Sequence, residues 1–124
     1  MAATERFSLE GAVQDLRRML ASDATAPEWR WNLRRRLSDV KEALGDPGAH
    51  GVEAWLLGRE VTSNRCRRQL QARVATLGAG VLDRLDAATI TTELRRLQTD
   101  LERYVQRLHD LVYDSVTLEL GGSD

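Results

Sequence analysis

The sequence is short of several residues that would make its chemistry easy to read. Cys66 is the only cysteine, so no disulfide can form within the chain. There are two histidines, His50 and His109, too few for most metal sites built on imidazole. No apolar run approaches the roughly 18 residues that a membrane span needs, and the start Met1-Ala-Ala-Thr-Glu-Arg-Phe7 lacks the apolar core of a signal peptide. A cytoplasmic chain that enters no membrane is expected. No stretch alternates at period two for long enough to demand a sheet. Charge of one sign is missing too: the formal net charge is -1, which removes the global attraction a nucleic-acid binder usually displays, so no nucleic acid is expected as a partner. No phosphate-cradling glycine loop, nucleophile elbow or histidine at a recognisable catalytic spacing is found, and no enzyme activity is expected.

What the sequence does contain is helical periodicity. Its 124 residues suit one domain with a sizeable core. Leu9, Val13, Leu16 and Leu20 follow helical spacings behind Ser8, a good cap, and predict a helix over 9–22. Thr25-Ala-Pro-Glu28 has the pattern of a capping box with proline in the first turn, and Trp29, Leu33, Leu37, Val40 and Leu44 extend a helix over 26–44. The loop Gly45-Asp-Pro-Gly-Ala-His-Gly51 follows, with His50 in it as an exposed residue. A third helix over 52–82 aligns Val52, Leu56, Cys66, Leu70, Val74, Leu77 and Val81, with Gly78 and Gly80 expected to fray its end. Asp86 caps a fourth helix over 86–116, with Leu85 and Ile90 as a hydrophobic staple and Ile90, Leu94, Leu97, Leu101, Leu108 and Leu111 as its stripe. Residues 117–124 are expected as a flexible tail, although Val116-Thr-Leu-Glu-Leu120 could also continue the helix. The fold class is all-α, an antiparallel up-and-down four-helix bundle.

The order of the helices, the spacing from His109 to Asp114 and the closing Leu111-Val-Tyr-Asp-Ser-Val-Thr-Leu-Glu-Leu-Gly-Gly122 resemble small bacterial hemerythrin-like domains. That resemblance implies a pair of irons held between four helices by several histidines and two carboxylates, serving oxygen binding, iron handling or sensing. The chain departs from the pattern. It has too few imidazoles, no helical His-x-x-x-Glu, His-x-x-x-His or Glu-x-x-His, and residues five apart on a helix point about 140° apart. The arc between His109 and Asp114 faces away from the leucine stripe, so the pair flanks the solvent side. No metal and no cofactor are expected.

The third helix has a polar gap in its stripe at Arg59 and Ser63. If the third and fourth helices form a hairpin turning near 83–86, opposed positions sum to about 170. Arg59, Ser63 and Cys66 then lie level with Tyr104 and His109, and these five are the candidate lining of a polar pocket for a small anionic ligand. Bland readings stand beside it: Arg59 extending outward along its stem, Cys66 as a small buried hydrophobe, His109 as a hydrogen-bonded packing residue. Trp29 belongs to the core, whereas Trp31, about 200° away from it, is partly exposed. Exposed tryptophans are candidate anchors for a partner. Arginines crowd the second and third helices while the fourth is comparatively acidic, which favours self-association or an acidic partner. The leading expectation is a non-catalytic binding or interaction protein, with a homodimer or another protein as partner. The alternatives are a sensor for a small ligand or metal, and an iron-binding protein with unusual ligands.

Overall fold

The computed structural model describes residues 8–46, 61–82 and 86–122, with side chains described except at 61–63, 82, 112 and 114–122. The order is α1 (Leu9–Ala21), α2 (Trp29–Leu44), α3 (Val61–Leu82) and α4 (Ala87–Gly122). The chain is all-helical, with no strand among the described residues. α1 packs on α2 and α4, and α3 packs on the same two helices.

Each stripe becomes a buried seam. Leu9, Val13 and Leu16 of α1, Leu33, Leu37, Val40 and Leu44 of α2, Leu70, Val74, Leu77 and Val81 of α3, and Ile90, Leu94, Leu97, Leu101 and Leu108 of α4 form one core. Fully burying a side chain of this size contributes about 1.5–3 kcal/mol, so the seams supply the force that gathers the helices. Trp29 is buried, and its indole Nε1–H donates to the Met19 carbonyl at 3.2 Å, which ties the start of α2 to the end of α1.

The helix ends are held by specific groups. The Gly11 amide donates to Ser8 Oγ at 3.0 Å, and a Cβ at Gly11 would stand 2.9 Å from that oxygen, so the glycine leaves room for the cap. Asp86 caps α4 as expected, accepting from the Thr89 amide at 2.7 Å. Two hydrogen bonds to Thr89 hold the Asp86 carboxyl below its ordinary range, aided by the Arg30 charge. Leu85 of the expected staple, and residues 52–60 of the third helix, lie outside the described residues.

The expected capping box at Thr25 is replaced by another arrangement. Thr25 donates through both its amide, at 2.9 Å, and its hydroxyl, at 2.6 Å, to Asp23 Oδ1. A carboxylate is the stronger acceptor, and it turns the chain before a helix can begin. Successive turns then lead to Trp29, and Glu28 stands at the N-cap without a side-chain bond. At the other end α4 continues to Gly122, so residues 117–122, expected as a flexible tail, are helical; no proline or glycine intervenes between Ala87 and Leu120 to stop propagation. Gly78 and Gly80 likewise do not interrupt α3, which runs to Leu82.

Across the seams, side chains pair in opposite numerical order. Glu10 stands 3.3 Å from His109 and Arg17 stands 2.9 Å from Glu102 across α1 and α4. Arg67 donates to the Leu44 carbonyl at 3.0 Å, Gln71 to that of Lys41 at 3.3 Å, and Arg30 to that of Val81 at 2.8 Å, across α2 and α3. Arg73 pairs with Asp100 at 2.7 Å across α3 and α4.

Leu101 is fully buried in α4; Leu101→Ala lowers stability by about 2–5 kcal/mol in urea denaturation. The Asp86 contribution is fully present above the ordinary carboxylate pKa and is lost as pH falls through the depressed folded value. Asp86→Asn, which keeps a capping oxygen without the charge, therefore flattens the acid limb of the stability profile, as thermal melts between neutral and strongly acidic pH will show.

Candidate functional site

Of the five candidate pocket residues, Cys66 and Tyr104 lie together. They line one cleft of about 330 Å³ between α3 and α4. Cys66 is half-buried and Tyr104 is buried at the wall. Burial pushes the Tyr104 phenol up to about 12, against the opposing pull of the Arg67 guanidinium, so it stays a neutral hydroxyl at physiological pH.

His109 is placed elsewhere. It is half-exposed, and its Nε2 stands 3.3 Å from Glu10 Oε1 on the α1 side of α4, in a shallow groove with Gln14 and Gln106. The five residues from Tyr104 to His109 turn α4 by about 140°, so the two straddle the leucine stripe. Arg59 and His50 lie outside the described residues, as does the side chain of Ser63. Among the described residues no group of three or more His, Cys, Asp or Glu side chains is placed to hold a metal ion.

The α3–α4 cleft is more cationic than the sequence suggested, because Arg73, Arg103 and Arg107 line it with Gln69. Asp100 is its one carboxylate, at 2.7 Å from Arg73 and 3.9 Å from Arg103. Arg73 and Arg103 share the single Asp100 carboxylate over an apolar floor of Leu70 and the Tyr104 ring, so a further carboxylate or phosphate can be received there. The signal was available in the same register argument: Arg103 and Arg107 are four residues apart on α4, on the flank where Tyr104 meets Cys66. A second groove of about 400 Å³ continues along the same pair of helices beyond Arg73, past Leu77 and Leu97 to Thr89 and Glu93.

The opposite pair of helices carries a different surface. Trp31 is 56% exposed on α2. One and three turns further along the same helix stand Arg34 and Lys41, which line a groove of about 240 Å³ against α3. Trp29 fills the core two residues earlier, so opposite faces of one turn of α2 hold one tryptophan for packing and one for solvent. Trp55 lies outside the described residues.

Gln98 was not singled out by its sequence position, although 98 falls between 94 and 101 on the α4 stripe. It is buried, and its Nε2 donates to the Val13 carbonyl at 3.0 Å and to Glu102 at 2.8 Å. Its Oε1 has no partner among the described residues. Since an unpaired buried acceptor costs free energy, this glutamine fixes how α1 sits on α4 more than it stabilises the pair.

No family model matches the chain, and no curated protein or solved structure does. No helix among the described residues is long and apolar enough to cross a membrane.

Ultraviolet titration tests the Tyr104 environment: one tyrosine ionises only near pH 12, and Tyr104→Phe removes that late step. Because the raised value favours the neutral phenol in the fold, stability from this group is intact below pH 10.0 and is lost as pH rises toward 12.

Proposed function

We propose that this chain is a non-catalytic binding protein of the cytoplasm that engages another protein, using an antiparallel up-and-down four-helix bundle as a rigid platform. The observation that carries this reading is Trp31, a large aromatic 56% exposed on a helix rich in arginine. Exposing an indole to water is unfavourable by the same burial energy that holds Trp29 in the core. Tryptophan and arginine together are the side chains that most often dominate binding energy at protein interfaces. The reading also accommodates the hemerythrin-like resemblance, as a bundle that serves as a scaffold without the iron ligands.

A second reading is favoured by the cleft beside Cys66 and Tyr104. With Arg73 and Arg103 sharing one carboxylate, it suits a small organic anion, and the chain would then act as a sensor. Loss of organic-acid binding on Arg103→Ala, with protein binding intact, would favour this alternative.

The experiment on the leading reading is retention of protein from source-cell extract on the immobilised chain, compared with Trp31→Ala and Tyr113→Ala, both exposed in the free chain. A species retained near stoichiometrically, weakened by about 2 kcal/mol or more with Trp31→Ala and unaffected by Tyr113→Ala, supports it. The Trp31→Ala fold should remain within about 0.5 kcal/mol of the parent, as for other surface changes. Retention indifferent to Trp31, or no retention, sinks the reading.

A further inference from the structure

Beyond the anchor itself, the α2–α3 face has the features of a seat for one more helix. Trp31, Arg34, Ser38 and Lys41 follow one another at helical spacing along α2, over about 15 Å of its length. Across from them, Ala75, Gly78 and Ala79 of α3 floor the groove, and a Cβ built at Gly78 would meet nothing within 4 Å. The floor is low enough for another backbone to approach at the 8–10 Å separation of packed helices.

Charge determines what kind of helix fits. Among the described residues, Arg34, Arg35 and Lys41 have no carboxylate within 4.0 Å, whereas Arg36, on the neighbouring flank, pairs with Asp39 at 3.6 Å. Arg34 and Lys41, the two cations that line the groove, are thus not neutralised by a described carboxylate of the fold. We infer that the α2–α3 groove docks an acidic amphipathic helix of a partner protein, its small apolar face over Ala75, Gly78 and Ala79 and two carboxylates seven residues apart on Arg34 and Lys41.

Three observations select this occupant. The groove is shallow and its rim side chains Arg34, Ser38, Lys41 and Ala79 are exposed, whereas sites for small molecules bury most of their ligand. Nucleic acid would need a continuous cationic track, but Asp39 and Glu42 interrupt α2 and the chain carries a net charge of -1. Within the described helices a second copy offers two carboxylates at this spacing only at Glu93 and Asp100, and these already stand 3.4 Å from Arg96 and 2.7 Å from Arg73.

The inference rests on the protein-binding reading, and its test uses a defined probe instead of an extract. A fluorescein-labelled helical peptide of about 16 residues, with alanine and leucine on one face and two glutamates at the stated spacing, is titrated by anisotropy against the full chain. Saturable binding is expected, weakening with salt and at least about tenfold on Lys41→Glu. A peptide carrying lysine in place of the matching glutamate should recover binding to Lys41→Glu. Gly78→Leu fills the notch and replaces a poor helix former, so it should abolish binding while the melting temperature does not fall. No saturation up to about 1 mM overturns the inference. So does equal binding of a scrambled peptide, indifference to Gly78→Leu, or tighter binding of single-stranded DNA with the same dependence on Lys41. If the peptide fails while Trp31-dependent retention from extract persists, the groove is wrong and the protein-binding reading stands; if both fail, that reading falls as well.

Discussion

The arrangement of the four helices depends on how α2 and α3 satisfy each other's ends. A helix leaves its last carbonyls without internal donors, and these carry the negative end of its dipole. Arg67 supplies a donor to Leu44 at the end of α2, Gln71 adds a second donor to the Lys41 carbonyl beside the Gly45 amide, and Arg30 supplies one to Val81 at the end of α3. Two of the three donors are cations placed where the dipole favours them. The exchange fixes the register of the pair, and the register decides the rest. With Arg67 and Gln71 committed toward α2, Cys66 and Gln69 turn toward α4. Ala75, Gly78 and Ala79 are left facing Arg34 and Lys41 across a groove.

Arg30 extends this control to a third element. It reaches the end of α3, and its charge also acts on Asp86, which caps α4. One guanidinium therefore sits where the end of one helix and the start of the next present opposite partial charges. The α1–α4 seam uses a different device, the buried amide of Gln98 together with Arg17 and Glu102, which bind one another through Glu102.

The sequence made the core legible because burial at a period of 3.6 leaves a direct trace. Trp29, Leu33, Leu37, Ile90, Leu94, Leu101 and Tyr104 are all buried where their spacing puts them. The start of α2 was not legible, because Asp23 competes with Thr25 for the same turn, and only three-dimensional geometry shows which oxygen accepts. The pocket was half legible. The register of α3 on α4 sets the level at which Cys66 meets Tyr104, but level along the axis is not direction around it, and His109 points to α1. Arg73, Arg103 and Arg107 escaped notice because arginines on a helix are ordinarily solvated, and nothing local tells a converging set from a scattered one. The exposure of Trp31 was readable from its angle to Trp29 alone.

The connectivity of the seams also orders them in folding. α1 with α2, α2 with α3, and α3 with α4 are each neighbours in sequence, and their side-chain pairings span 10 to 51 residues. The α1–α4 seam is different: Val13 meets Gln98 and Arg17 meets Glu102 across a separation of 85 residues in each case. Loop-closure entropy grows with separation, so this seam carries the largest topological cost in the molecule and gains the most when the other three have already assembled. α1 is thus the segment whose docking contributes most to contact order, and a circular permutation that joined it directly to α4 would shift that cost to another seam without altering a single packed side chain.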